Sequence, residues 1–381
     1  MANDDNSLSG LATAGALPPR DFSEQPERLS EIGSIPLELP ASLSSAVASI
    51  TDAGHFDNAA LEEAVAALCI GHLILSGPPG TGKTSLARAL AHAFNAKLVV
   101  ETANPEWSVY DTIGTQTLKS GGEAAPRHGL VTSAVLGCGT AMIDNFDKGE
   151  GSQAVWLLID EMNRADIDRA FGPLFTALAG GEDAGMILDY MESRPSLCVP
   201  RRFRIIATIN EYDTRFVNSM SGALRRRFAK VSVLPPQNEP DGRSSAVEWT
   251  TALNAATERT TRTLGEAPPS QVTDLLVAGE NALRGFFGLL RSPDGGGIPV
   301  GTAQLIDVAE FVLTYGKMAG ANAPENSAIL DRALVARLLP GLETDSTRNR
   351  IQPGYLAQLH EQFPDLPRFQ GRLDAFIHGF D

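Results

Sequence analysis

The chain has 381 residues, 43% of them hydrophobic and 20% charged, enough for a sizeable core and for two domains of ordinary size. Its formal net charge of −15 repels phosphate backbones and anionic lipid, so neither direct nucleic-acid binding nor membrane association is expected. The start MANDDNSLSG lacks the basic and apolar parts of a signal segment, and Cys69, Cys138 and Cys198 are odd in number and far apart; the expectation is a cytoplasmic protein without disulfide framework or zinc site.

Residues 1–40 are rich in Ser, Gly, Pro and acidic residues without periodicity, and read as a flexible tail with one short ordered piece at Ile35–Leu39. From 41 to 235, apolar runs at 72–76, 97–101, 154–160, 203–208 and 230–234 alternate with helical patterns. Continuous apolar strands of this kind suit a parallel sheet covered on both faces. Ser85–Phe94 carries Leu86, Leu90 and Phe94 on one stripe, and Ile167–Leu178 repeats the pattern before Gly180-Gly181. The stretch Pro235–Gly242 is a proline-punctuated linker. Beyond it strand signals fade, and helices are expected at 245–264, 270–290, 302–318 and 326–339, so 243–381 reads as a separate helical domain.

Gly77-Pro-Pro-Gly-Thr-Gly-Lys83-Thr84 matches GxxxxGK[ST] between a strand and a helix, the context that a phosphate-binding loop requires. Its glycines let successive N–H groups face phosphate oxygens, and the helix that follows adds its positive end. The candidate cofactor-binding set is Gly77, Pro78, Pro79, Gly80, Thr81, Gly82, Lys83, Thr84 and Ser85. Lys83 is placed for the β- and γ-phosphates and the Thr84 hydroxyl for magnesium. Asp160-Glu161 closes the run VWLLI; Asp160 suits the metal and Glu161 the attacking water. Asn210, after RIIATI, is a polar residue at a third strand end, where ligands of open α/β sheets bind. Arg225, Arg226 and Arg227 precede Phe228: either they complement a helix dipole, or they are fingers for a neighbouring subunit's site.

These motifs, in this order over about residues 55–235, resemble the AAA+ ATPases. LLIDEMNRADIDRAFGPLFTAL resembles the dynein-related group that includes MoxR-like proteins and the McrB restriction NTPases. FGPLFTAL, VPRRFRIIATIN, Asn210-Glu-Tyr-Asp213 and ALRRRF are closer to McrB, and ILDRALVARLLPGLE is similar to the end of McrB-type motors. The resemblance implies an α/β P-loop NTPase fold of the AAA+ kind, a parallel sheet sandwiched by helices, followed by a smaller helical lid. It implies a homo-oligomeric, hexameric ring with sites between subunits and a set comprising Lys83, Thr84, Asp160, Glu161, Asn210, Arg226 and Arg227, with Arg227 the first choice of finger. Thr84 and Asp160 form the metal set. Hairpin insertions are expected from Thr115–Leu118 with Gly129–Val131, and from Met186–Tyr190 with Leu197–Pro200. The lid segment Gly301–Leu305 has no arginine for the γ-phosphate, and residues 1–40 are not expected to form the recognition domain that McrB-type proteins carry ahead of the motor.

Other residues keep two interpretations: Trp107 and Tyr110 as pore loop or packing, His55-Phe56 as base contact or packing, Asn163-Arg164 as coupling to a neighbour or a helix cap. Function divides in three. An ATP-and-magnesium-driven ring that remodels a partner protein, as MoxR-like ATPases do, comes first. A McrB-like restriction or defence motor, fuelled by ATP or GTP and reaching DNA through partner subunits, comes second. A nucleotide-gated scaffold with little turnover is third.

Overall fold

A computed structural model describes residues 31–51, 56–118, 122–149, 151–172, 174–178, 185–211, 222–292, 297–320, 325–351 and 353–379. The tail up to residue 30, His55, Gly180-Gly181 and Asp213 lie outside them.

Five parallel strands form the central sheet: β1 (His72–Gly77), β2 (Ala96–Thr102), β5 (Ala154–Asp160), β8 (Ile205–Asn210) and β9 (Phe228–Ser232), in the order β2-β5-β8-β1-β9. β1 is buried along its whole length and β5 at all but its last residue, as expected of strands covered on both faces. The covering helices include α1 (Leu43–Thr51), α2 (Asn58–Ile70), α3 (Lys83–Ala93) and α4 (Leu130–Lys148). α4 buries every residue from Val131 to Ile143 except Ser133, so it is a core helix rather than a surface one. Trp156, fully buried on β5, packs at a tilt against Phe94 and donates its indole N–H to the Arg202 carbonyl at 2.9 Å.

Two antiparallel hairpins project from this core: β3 (Gly114–Leu118) with β4 (Ala124–His128), and β6 (Gly185–Ile187) with β7 (Ser196–Cys198). The sequence placed the second strand of the first hairpin at 129–131; those residues instead begin α4. Gly129 caps that helix, and a Cβ there would lie 2.6 Å from the Ile113 nitrogen. In the second hairpin both strands are shorter than expected. The two hairpins are tied together by Tyr190, whose hydroxyl meets His128 Nδ1 at 2.6 Å and whose carbonyl accepts from Gln116 Nε2 at 3.2 Å.

The helix expected over 167–178 is two pieces, Ile167–Phe171 and Leu174–Ala177. The break begins at Gly172, and the sequence continues with Pro173, which has no N–H for the helix ladder. Within the tail expected to reach residue 40, the ordered piece placed at Ile35–Leu39 is longer, and the chain is packed from residue 31 onward. Ile32 and Leu37 are buried in the core, and buried Arg202 binds the Pro36 carbonyl at 2.9 Å and Glu38 at 2.8 Å.

A second hydrophobic core is built from α5 (Ala246–Leu264), α6 (Ser270–Arg291), α7 (Thr302–Ala319) and the shorter helices that follow. Among them a π-helical stretch, Leu334–Leu338, joins Asn326–Ala333 to Leu339–Leu342. At the centre Glu248 is completely buried and takes two hydrogen bonds of 2.7 Å from Arg291 and one of 2.8 Å from Thr302. No helix among the described residues is long and apolar enough to cross a membrane.

Candidate functional site

Strand register decides which residues meet. Gly77, the end of β1, lies opposite Asn210, the end of β8, while Ile159 of β5 lies opposite Ala207 of β8. The loop after β1, the Asp160-Glu161 pair after β5 and Asn210 therefore share one sheet edge, spaced at about 4.8 Å per strand.

In the loop, Gly80 and Gly82 hold φ of 77° and 83°, a left-handed conformation that a side chain would resist. Alternating such residues turns successive N–H groups inward and makes an anion cradle. Gly82 lies against Phe56, which a Cβ on that glycine would meet at 3.1 Å. α3 starts at Lys83 and aims its N-terminus into the cradle. The Lys83 amine donates to the Gly77 carbonyl at 3.0 Å and to the Pro78 carbonyl. Burial lowers its pKa to about 8, although Asp160, Glu161 and Glu211 act in the opposite sense.

Asp160 is the hub of the next layer. Its Oδ1 accepts from the Thr84 hydroxyl at 3.0 Å and from the Thr208 hydroxyl at 2.5 Å. Thr208 Oγ1 in turn accepts the Glu161 N–H at 2.9 Å. These hard oxygen donors fit magnesium, which binds through one or two protein oxygens while sharing substrate phosphates. Among the described residues no cluster of three or more His, Cys, Asp or Glu is placed to hold a metal alone.

Glu161 sits at φ 54°, and its carboxylate pairs with Arg164 Nε at 2.6 Å. Asn163 reaches sideways to Asn210: its Nδ2 donates to the Asn210 carbonyl at 3.4 Å and its Oδ1 accepts the Asn210 N–H at 3.5 Å. Asn163 thus links the ends of β5 and β8 within one chain, while Arg164 pairs with Glu161. Next to Asn210, Glu211 pairs with Lys230 of β9 at 2.6 Å, and that bond holds the Glu211 carboxyl below its ordinary range.

The lid meets the loop directly. Ala303 N–H donates to the Gly80 carbonyl at 3.0 Å, and Gln304 Nε2 reaches the Pro79 carbonyl at 3.3 Å. The segment without an arginine, Gly301–Leu305, is therefore the part of the lid that faces the phosphate cradle, and Gln304 stands there.

Arg226 and Arg227 are elsewhere. Phe228, just after them, pairs with His72, the first residue of β1, whereas the phosphate loop follows the last. Five strand steps separate the two ends, about 17 Å. Trp107 packs against the core with its ring tilted 6.2 Å from that of Phe171, and Tyr110 is 69% exposed.

Thr208, Glu211 and the Glu161–Arg164 pair were not among the sequence-derived site residues. Thr208 had one signal, since it lies two residues before Asn210 and so on the same strand face.

No curated protein matches the chain significantly. Residues 72–228 match the family described as AAA domain (dynein-related subfamily). The matched segment runs from the first residue of β1 to the first of β9 and so contains the loop, Asp160-Glu161, Asn210 and the arginines. The segment from His72 to Phe228 is therefore an AAA domain of the dynein-related subfamily, built on the parallel sheet of the P-loop fold.

Proposed function

We propose that the chain is a magnesium-dependent ATPase that works as a ring, six subunits being the expected number, with each site completed by the next subunit. The observation that carries this is the division of the motifs between two sheet edges. Lys83, Thr84, Asp160, Glu161 and Asn210 converge at one edge, while Arg226 and Arg227 lie about 17 Å away at the other, out of reach of their own loop.

In this reading the N–H groups of Gly80–Thr84 and the Lys83 amine bind the β- and γ-phosphates. Thr84 and Asp160 hold magnesium, and Thr208 fixes the Asp160 carboxylate against them. The bound metal supplies charge neutralisation on the phosphate oxygens. Glu161 orients the attacking water and takes its proton, while the Asn210 amide fixes water and γ-phosphate together. The water oxygen bonds to the γ-phosphorus as the bond to the bridging oxygen breaks, which leaves the diphosphate and inorganic phosphate. Arg227, with Arg226 beside it, neutralises the charge of that step from the neighbouring subunit.

The energy goes to a partner protein in the MoxR-like manner. The net charge of −15 disfavours a nucleic-acid client bound directly. A McrB-like motor subunit is the second reading, supported by the segments FGPLFTAL and VPRRFRIIATIN, with GTP as the discriminating fuel.

The test is the solution mass of the Glu161→Gln protein with ATP–magnesium, with GTP–magnesium and without nucleotide. A mass near six protomers with ATP alone supports the ATPase ring. Assembly with GTP alone transfers support to the second reading, and a monomer under all three conditions sinks the self-assembled ring.

A further inference from the structure

The edge of the sheet opposite the phosphate loop carries a cavity of about 600 Å³ whose lining includes Arg201, Arg204, Arg226 and Arg227 and, among the described residues, no acidic one. In a chain of net charge −15 that concentration of one sign is informative.

The register explains how the arginines come together. Phe228 of β9 and His72 of β1 are paired, and Leu73 is paired with Ile206 of β8, so the loops that enter β8 and β9 open on the same edge. Arg204 is structural. It is 7% exposed, and its guanidinium is spent on carbonyls: Leu68 at 2.7 Å and Cys69 at 3.4 Å at the end of α2, and Arg201 at 2.7 Å. Those bonds pin the loop of Arg201 to the helix end. No carboxylate among the described residues neutralises Arg204, and neighbouring His72 is pushed down to about 3, by burial first and by the Arg204 charge second. Arg201 and Arg226 are exposed, and among the described residues neither has an ion-pair partner. Beside them Ile70 is 89% exposed and Leu39 is 60% exposed. Arginine beside bare aliphatic surface is the composition of a protein interface rather than of a free-ion site.

The complementary surface is on the same chain. The opposite edge presents Asp160, Glu161 and Glu211 around a cradle built for a triphosphate. From these observations we infer that Arg201 belongs with Arg226 and Arg227 to one anion-binding face that receives the nucleoside triphosphate held by a second copy of this chain. Arg201 is then a further catalytic residue, acting in trans from the entry of β8 while Arg226 and Arg227 act from the entry of β9. This rests on the ring ATPase reading and adds a residue to it.

The experiment is turnover by mixed assemblies. Arg201→Ala alone should lower turnover about tenfold or more, with nucleotide affinity and assembled mass unchanged, and Arg201→Lys should recover part of it. Lys83→Ala subunits have no working site but keep the arginine face. Mixing them with Arg201→Ala subunits should raise turnover above either alone, whereas Lys83→Ala/Arg201→Ala subunits should not. Full turnover by Arg201→Ala overturns the inference, and so does a loss that mixing leaves unrepaired. If Arg201→Ala instead weakens binding to a DNA oligonucleotide and spares turnover, the face serves a polyanion and the inference also falls. Wild-type turnover that Arg227→Ala abolishes and Arg201→Ala spares overturns the inference alone. Wild-type protein that neither assembles nor turns over sinks the ATPase reading with it.

Discussion

Arg164 Nε holds the Glu161 carboxylate at 2.6 Å, three residues along a turn that Glu161 enters in the left-handed conformation, φ 54°. A non-glycine residue in that region costs about 1–2 kcal/mol, so the surroundings must fix it. Here the Thr208 hydroxyl accepts the Glu161 N–H and Arg164 anchors the side chain. A backbone held off its preferred region at a strand end next to a phosphate cradle is the pattern of a positioned reactive group.

Glu161→Gln keeps size and backbone and removes the base. Turnover should drop about 10²- to 10⁴-fold with nucleotide affinity retained. Arg164→Ala leaves the carboxylate in place and frees its orientation, and a loss of about 10- to 100-fold is expected. Steady-state phosphate release and equilibrium binding of a fluorescent nucleotide separate the two. Unchanged turnover in Arg164→Ala would mean that the ion pair positions nothing.

Gly301 tests the contact between lid and loop. Its φ of −92° suits any residue, so strain is not the reason for glycine there. The reason is proximity, because a Cβ would lie 2.3 Å from the Gly80 carbonyl oxygen and 2.4 Å from its carbon. Gly301→Ala must push α7 off the phosphate loop while leaving both hydrophobic cores intact. Nucleotide affinity should weaken about tenfold or more, one to two lost contacts of about 1 kcal/mol each, with the melting temperature without nucleotide nearly unchanged. An unaltered affinity would show that the lid contact contributes nothing to binding.

The sheet was legible because buried parallel strands leave unmistakable apolar runs, and the phosphate loop because its glycines answer a local backbone demand. The helix expected at 167–178 failed where Gly172-Pro173 interrupts an otherwise regular stripe, a breaker that periodicity alone overrides. The first hairpin was displaced because Ala124–His128, AAPRH, is an exposed edge strand without an alternating apolar face. The ordered piece expected at Ile35–Leu39 extends back to residue 31, which the sequence hides because the anchors of this segment, Arg202 and Gln153, are more than a hundred residues away. The same limit hid the Glu211–Lys230 pair, which exists only because β8 and β9 both flank β1. Composition carries local conformation well, and partners brought together by strand order hardly at all.

Glu248 and Arg291 are the strongest electrostatic commitment in the helical core, 0% and 6% exposed by side chain. Two parallel hydrogen bonds of 2.7 Å and the Thr302 hydroxyl satisfy the carboxylate. Removing one member leaves a buried, uncompensated charge, which costs about 3–5 kcal/mol. Glu248→Ala should lose that much in urea unfolding. Thr302 begins α7, so the same variant should also loosen the lid and weaken nucleotide binding. A loss under about 1 kcal/mol would mean that water reaches the pair.

Lys83 makes nucleotide binding pH-dependent. Its ordinary value is 10.5 and burial takes it to about 8 in the folded chain. Between those values the unfolded chain keeps a proton that the native chain has lost, so the contribution of Lys83 to stability rises with pH across that window. Binding runs the other way. A triphosphate stabilises the ammonium form, so above about pH 8 each bound nucleotide draws in a proton. Affinity should therefore fall between pH 8 and 10, by at most about tenfold per pH unit. Lys83→Arg, cationic throughout, should bind with a flat profile even if more weakly, because its planar fork suits the cradle less well. Isothermal titration in two buffers of different ionisation enthalpy reads the proton uptake directly. Wild-type affinity that stays level from pH 7 to 10 would place the Lys83 amine outside the phosphate contact.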